Sequence, residues 1–123
     1  MFRMVMASAL LATLAIGQVG CAPIRGKAAE SYIARIDPSK EKDLRSPGDD
    51  VAVSIRIRNK RKSMIHLHWI DYDGKRVHYA NIKAGAEALQ RTFEGHYWIV
   101  LGEDKKPIGI YRTPAKDAVI VIE

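Results

Sequence analysis

Residues 68–82 read HWIDYDGKRVHYANI. Two strand-like runs flank the pair Asp73-Gly74, which commonly fills a type I′ hairpin turn with positive φ at both positions. The stretch therefore predicts a β-hairpin, and the same pattern spreads in both directions. Upstream, VAVSIRIR (51–58) alternates strictly, with Val51, Val53, Ile55 and Ile57 on one face and Ala52, Ser54, Arg56 and Arg58 on the other. That is a strand with one buried and one wet side. NKRK (59–62) is a turn, and SMIHLHWID (63–71) puts Ile65, Leu67 and Trp69 on one face. Downstream, LQRTF (89–93) and HYWIVL (96–101) join tightly through Glu94-Gly95, and IGIYRT (108–113) and AVIVIE (118–123) follow. About seven short antiparallel strands in roughly 70 residues, with no 3.6-residue period, predict an all-β fold, a sandwich or small barrel. The domain is expected over residues 49–123, and a chain of 123 residues allows only one.

The N-terminal stretch MFRMVMASALLATLAIGQVGC has one early cation, Arg3, then a charge-free apolar run from Met4 to about Gly17. This is the layout of a signal peptide over residues 1–20, and it is short for a membrane span. Cys21 is the only cysteine, so no internal disulfide is available. Its context, VGCA, resembles the bacterial lipobox, in which cleavage precedes a cysteine that receives lipid. Val19 and Gly20 fit that pattern and Gln18 departs from it. The expectation is a lipid anchor at Cys21, with ordinary cleavage near Ala15–Gly17 or after Ala28 or Ala29 as the alternative. Either route puts the domain outside the cytoplasm: in the periplasm or at the outer membrane as a lipoprotein, or secreted. Residues 21–48 mix Pro, Gly, Ser and charges without a period and read as a tether, with Tyr32–Ile36 a candidate edge strand.

The net charge is +6, and its densest cluster is RIRNKRK, residues 56–62. Such a cluster is an anion-binding patch or a solvated strand end and turn, and in an exported protein nucleic acid is not the expected partner. His66 and His68 lie two apart, as zinc ligands can, but a metal site needs three or four ligands and the domain has no thiolate. No Gly-x-Ser-x-Gly elbow and no Gly-rich phosphate loop occur. No catalytic residue, metal ligand or cofactor is therefore predicted, and the chain is not expected to be an enzyme. The aromatic residues say more. His96 and Trp98 share one face of a strand, while Tyr97 and Ile99 face the other way as a core pair would. A Trp beside a His makes a flat apolar wall with a hydrogen-bonding rim, with the Thr92 hydroxyl just upstream. The alternative places Trp98 in the core and His96 at a turn, and the residues alone leave both open.

WIDYDGKRVHYANIKAGAEALQRTFEGHYWIV (69–100) closely resembles the β domain of the von Hippel-Lindau protein. The likeness runs through Trp69, Asp73-Gly74, Tyr79, Gly85, Thr92-Phe93, Gly95-His96 and Trp98. More loosely it extends back to about Val51, with Asn59 at the first turn, and forward to the end. The resemblance implies a von Hippel-Lindau-like β-sandwich whose pocket recognises 4-hydroxyproline in an extended peptide. It implies aromatic walls from Trp69, Tyr79 and Trp98, a hydroxyl from Thr92 where the family has serine, and a second hydrogen bond from His96. Arg91 departs from the pattern, since better-known members have histidine there. Animal members also carry a C-terminal helical part that engages the ubiquitin-ligase machinery. This chain stops before it, so no ubiquitin-ligase partner is expected.

The resulting expectation is a bacterial, exported, non-catalytic domain that binds a proline- or 4-hydroxyproline-containing protein or peptide and meets the membrane only through Cys21. The rival expectation is a cell-envelope structural or interaction module that takes anionic polymer through residues 56–62, or sugar through Trp69, Tyr79 and Trp98.

Overall fold

From Val53 onward the alternation in residues 51–58 produces the burial that its period demands, whereas Val51, expected on the same buried face, precedes the first strand and is 42% exposed. In the computed structural model, which describes residues 29–123, Val53, Ile55 and Ile57 are buried and Arg56 is exposed. The expected signal peptide, residues 1–20, and Cys21 lie outside the described residues. Seven strands form: β1 (Ala52–Asn59), β2 (Ile65–Ile70), β3 (Arg76–Ile82), β4 (Glu87–Phe93), β5 (Tyr97–Leu101), β6 (Pro107–Arg112) and β7 (Ala118–Ile122). They make two sheets, of order β4-β1-β7 and β3-β2-β5-β6. The fold is the all-β sandwich that the sequence predicts.

One pairing differs from the expected antiparallel set. β7 runs parallel to β1, with Ile55 opposite Ala118 and Asn59 opposite Ile122. β6 and β7 follow one another in the chain but belong to different sheets. The connection crosses the sandwich, so no hairpin sets the direction of β7. The Asp73-Gly74 turn also differs. Gly74 has φ +85°, but Lys105 is the single non-glycine residue with positive φ among those described, so Asp73 does not take the type I′ conformation. Instead Gly74 N–H donates to the Asp71 carbonyl at 3.0 Å. The Asp71 carboxylate accepts from the N–H groups of Asp73 and Lys75, each at 2.8 Å. This is a longer loop with glycine in the left-handed position, and the Asp71 side chain supplies what a two-residue turn would not need.

Between the sheets lies a core of Ile55, Ile57, Ile65, Leu67, Trp98, Val100 and Ile120, among others. A second cluster, Ile70, Ile99, Leu101 and Ile110, sits with partly buried Ile36, Leu44 and Tyr97. β5 contributes Trp98 and Val100 to the first cluster and Ile99 and Leu101 to the second, so both of its faces are covered. This explains why YWIVL, the whole of β5, is continuously hydrophobic.

The cover on the outer face comes from the stretch expected to be a tether. Over its described part, residues 29–48, it is a strap. Ile36 and Ile110 exchange backbone hydrogen bonds of 2.7 and 3.0 Å. A short 3-10 helix, Pro38–Asp43, starts at Asp37, whose carboxylate accepts from Ser39 N–H at 2.8 Å. Arg76 grips Glu41 through two 2.7 Å bonds, and these bonds hold the Glu41 carboxyl below its ordinary range. The Ser46 hydroxyl donates to the Ile70 carbonyl and accepts from Tyr97 N–H at 3.0 Å. Ile36 and Leu44 are too few and too far apart to form a period, which is why the sequence reads as linker.

Asn59 ends β1 and is 2% exposed. Its amide donates to the carbonyls of Ser63, Ile82 and Lys83 at 2.9–3.0 Å, and its Oδ1 accepts from Arg61 N–H at 2.9 Å. One side chain thus holds the β1–β2 turn and the end of β3. Asn59→Ala leaves several buried carbonyls short of a donor and is expected to destabilise the fold by about 2–3 kcal/mol. Urea denaturation reads this directly, and a loss below about 0.5 kcal/mol would mean that water replaces the amide at no net expense.

The basic cluster is partly neutralised. Arg56 pairs with Glu87 at 3.4 Å, and Arg58 pairs with Glu87 at 3.0 Å and with Glu30. Arg61 donates to the Glu123 carbonyl at 3.2 Å. An anion approaching Arg56 and Arg58 would have to displace carboxylates already in place.

Candidate functional site

Four elements deliver the aromatic residues to one place. β2 brings Trp69, β3 brings Tyr79, β5 brings Trp98, and the β4–β5 turn brings His96. They line a cleft of about 130 Å³ together with Thr92 and Phe93, with Asp49, Tyr72 and Arg91 also on its wall. All five residues singled out as ligand-binding in the sequence, Trp69, Tyr79, Thr92, His96 and Trp98, are brought together here.

Tyr79 reaches the cleft by a backbone irregularity. In the β2–β3 ladder Leu67 faces Ala80 and the next residue, His68, faces His78. Tyr79 is therefore the extra residue of a β-bulge. Strict alternation from Ile82 and Ala80 would turn Tyr79 outward with Asn81, whereas a bulge resets the parity and re-aims a side chain. The Tyr79 ring meets Trp98 edge-on at 5.0 Å between centroids and Trp69 at 6.2 Å. Tyr79 is 48% exposed, so it is an open wall.

Trp98 is 2% exposed and belongs to the core. It also lines the cleft, so its buried ring forms the cleft's floor. Its Nε1–H donates to Thr92 Oγ1 at 3.0 Å, across the gap between the two sheets. This bond uses a lone pair of the hydroxyl, and no bond among the described residues uses its proton. Thr92 is itself 4% exposed.

His96 sits just after Gly95, whose φ of +86° makes the turn that joins β4 to β5. A Cβ on Gly95 would come within 2.8 Å of Pro47 Cγ, so the strap and the turn fit only because the residue is glycine. The His96 ring stacks on Trp69 at 5.3 Å with 21° between planes. Its Nε2 lies 3.0 Å from Asp49 Oδ1. That distance suits an ion pair, but the nitrogen has no hydrogen-bond partner, because the carboxylate is out of line with the ring N–H. Asp49 also accepts from the Tyr72 hydroxyl at 2.7 Å. That bond, then burial and the carboxylate's charge, push the Tyr72 phenol above its ordinary range. Asp49 and Tyr72 are absent from the sequence-derived set. They come from the segment after the strap and from the hairpin loop, and the folded structure links them to the cleft through the Tyr72–Asp49 bond and the edge-on contact of Tyr72 with Trp69 at 4.9 Å.

The arrangement suits a small ring with one polar substituent. It offers aromatic faces and edges, one hydroxyl with an unused proton and one imidazole nitrogen without a hydrogen bond. Drug-sized ligands occupy pockets of roughly 300–1,000 Å³, so the cleft has room for one small ring and little more. β4, which carries Thr92, is an edge strand with one side unpaired.

Other features do not make comparable sites. A larger groove, about 480 Å³, is lined by Ser54, Arg56, Leu89, Lys116, Asp117 and Val119, among others, and has no converging aromatic rings. His66 Nδ1 and His78 Nε2 both lie 2.7 Å from Asn81 Oδ1, and His68 meets His78 edge-on at 5.1 Å. Burial first, then His78, Arg76 and His66, push the His68 imidazole below its ordinary value. Among the described residues no group of three or more His, Cys, Asp or Glu is arranged to hold a metal ion.

A family model described as VHL beta domain matches residues 44–106, just over half of the chain. The match spans every residue of the cleft. No curated protein matches the chain.

Proposed function

The chain belongs to the VHL beta domain family, a family of non-catalytic binding domains that take hydroxyproline-containing peptides, and on that premise we propose that it binds a proline- or 4-hydroxyproline-containing segment of another protein in the cleft between β3 and β4. The observation that carries the reading is the cage itself: Trp69, Tyr79 and Trp98 around a space of about 130 Å³, with Thr92 and His96 at its polar end. A pyrrolidine ring fits such a cage because it is compact, apolar and already rigid, so little freedom is lost on binding. The ring's hydroxyl accepts from Thr92 Oγ1, whose proton is unused, and pairs with His96 Nε2. A backbone extended through the cleft runs beside the free edge of β4 and gains main-chain hydrogen bonds there. On the leader-like residues 1–20 and Cys21, we further propose that the domain works outside the cytoplasm, anchored by lipid or released.

The test is calorimetric titration with two matched peptides, one centred on proline and one on 4-hydroxyproline. The hydroxylated peptide is expected to bind about tenfold tighter, because unpaired Thr92 and His96 groups cost about 1–3 kcal/mol when a bare proline fills the site. Thr92→Val keeps the shape and removes the hydroxyl, so it should shrink that preference by about as much. Equal binding of both peptides would leave a general proline cage, and binding of neither would remove the reading. The sugar alternative predicts capture of oligosaccharides that a proline peptide cannot displace, and the small cleft volume argues against it.

A further inference from the structure

Two charged residues, Asp49 and Arg91, line the cleft, and their situations differ. Asp49 accepts from the Tyr72 hydroxyl at 2.7 Å, and its Oδ1 lies 3.0 Å from His96 Nε2 without a hydrogen bond between them. Arg91, on the β4 side, is exposed, and its guanidinium has no hydrogen-bond or ion-pair partner among the described residues. Nearby arginines of the same sheet are not in that state. In the β1–β4 ladder Arg91 lies opposite Ser54, two residues from Arg56, and Arg56 and Arg58 are both held by Glu87. Thus the cleft's negative group already has one hydrogen-bond partner in the protein, while the guanidinium of its positive group has none among the described residues.

We infer that Arg91 is a specificity-determining residue, selecting segments that carry an acidic side chain next to the bound ring; this rests on the reading of the cleft as a proline pocket. A strand advances about 3.3 Å per residue, so a neighbour of the ring in an extended segment stays within the span of an arginine side chain at the mouth. The guanidinium fork suits a carboxylate, which it can grip through two parallel bonds. Because the pair would be solvent-exposed and screened, its effect is a preference of about three- to tenfold rather than an absolute requirement.

The experiment titrates the full-length chain with three 4-hydroxyproline peptides that differ only beside the ring, carrying aspartate, alanine or lysine. The wild type is expected to bind the aspartate peptide three- to tenfold tighter than the alanine one, and the lysine peptide most weakly. Arg91→Gln should flatten the series and Arg91→Glu should reverse it, and 0.5 M salt should compress the wild-type differences. If all three peptides bind the wild type equally, the inference falls while the pocket reading stands. A preference that survives Arg91→Gln also overturns it, since another group then reads the charge. If none of the peptides binds, the pocket reading fails and takes this inference with it.

Discussion

Replacing Tyr79 by alanine is expected to weaken binding of a 4-hydroxyproline peptide about a hundredfold, roughly 2.7 kcal/mol, while the fold survives. Tyr79 is an aromatic wall at the mouth of the cleft, and it is 48% exposed. Such a residue contributes a rigid face to a ligand and only part of its area to the folded state. Its edge contact with Trp98 sets the stability loss, expected at about 0.5–1.5 kcal/mol. Titration and thermal melting of the same sample separate the two. An affinity within threefold of wild type would mean that Tyr79 is not a wall of the binding site. His96→Ala is a poorer probe. His96 is 4% exposed and stacked on Trp69, so its loss would disturb the cleft whether or not it touches a ligand.

Trp98→Ala is expected to destabilise the protein by about 3–5 kcal/mol, the range for truncating a buried aromatic residue. The side chain is 2% exposed and packs in the core between the sheets. Its removal leaves a cavity and strips Thr92 Oγ1 of its indole donor. Native stabilities of domains this size are about 5–15 kcal/mol, so a large share of the margin would go. Chemical denaturation followed by circular dichroism measures it. A loss below about 1 kcal/mol would show that Trp98 is not wedged in the core, and the floor of the cleft would then be free to move. Trp98→Phe keeps most of the volume and should separate the two roles of the residue. It loses the bond to Thr92, so the hydroxyl becomes free to turn and the preference for a hydroxylated ring should fall while most of the stability remains.

The cleft depends on both sheets and on the segment before β1 together. Thr92 comes from the three-stranded sheet, Trp69, Tyr79 and Trp98 from the four-stranded one, and Asp49 from the segment between the strap and β1. The Trp98–Thr92 bond ties the first two groups, and the Tyr72–Asp49 bond ties the third. Groups held this way keep their spacing before a ligand arrives, which limits the ordering that binding requires.

How far the sequence carries can be judged from particular residues. Alternation in 51–58, the turns at Asp73-Gly74 and Glu94-Gly95, and the lack of any helical period were enough to predict an all-β fold of about seven strands, a sandwich or small barrel, and the resemblance narrowed it to a sandwich. These signals are local: each depends on whether neighbouring side chains point to the same or opposite faces. The resemblance then singled out Trp69, Tyr79, Thr92, His96 and Trp98, which all meet at one cleft. Other features depend on pairing between distant parts of the chain. Tyr79 turns inward because β3 holds one residue more than β2 can pair, and nothing in KRVHYANI marks the bulge. β7 runs parallel to β1 because the chain changes sheets before it. Residues 29–48 form a strap because Ile36 and Leu44 find an apolar face on β2, β5 and β6 that is assembled only in the folded state. Trp98 is both core and cleft floor because a sandwich edge exposes part of what its interior buries. By itself, then, the sequence determined the strands, their faces and the kinds of side chain at hand. The tertiary structure decided which of those side chains meet, because a strand's period specifies its two faces but not what will lie against them.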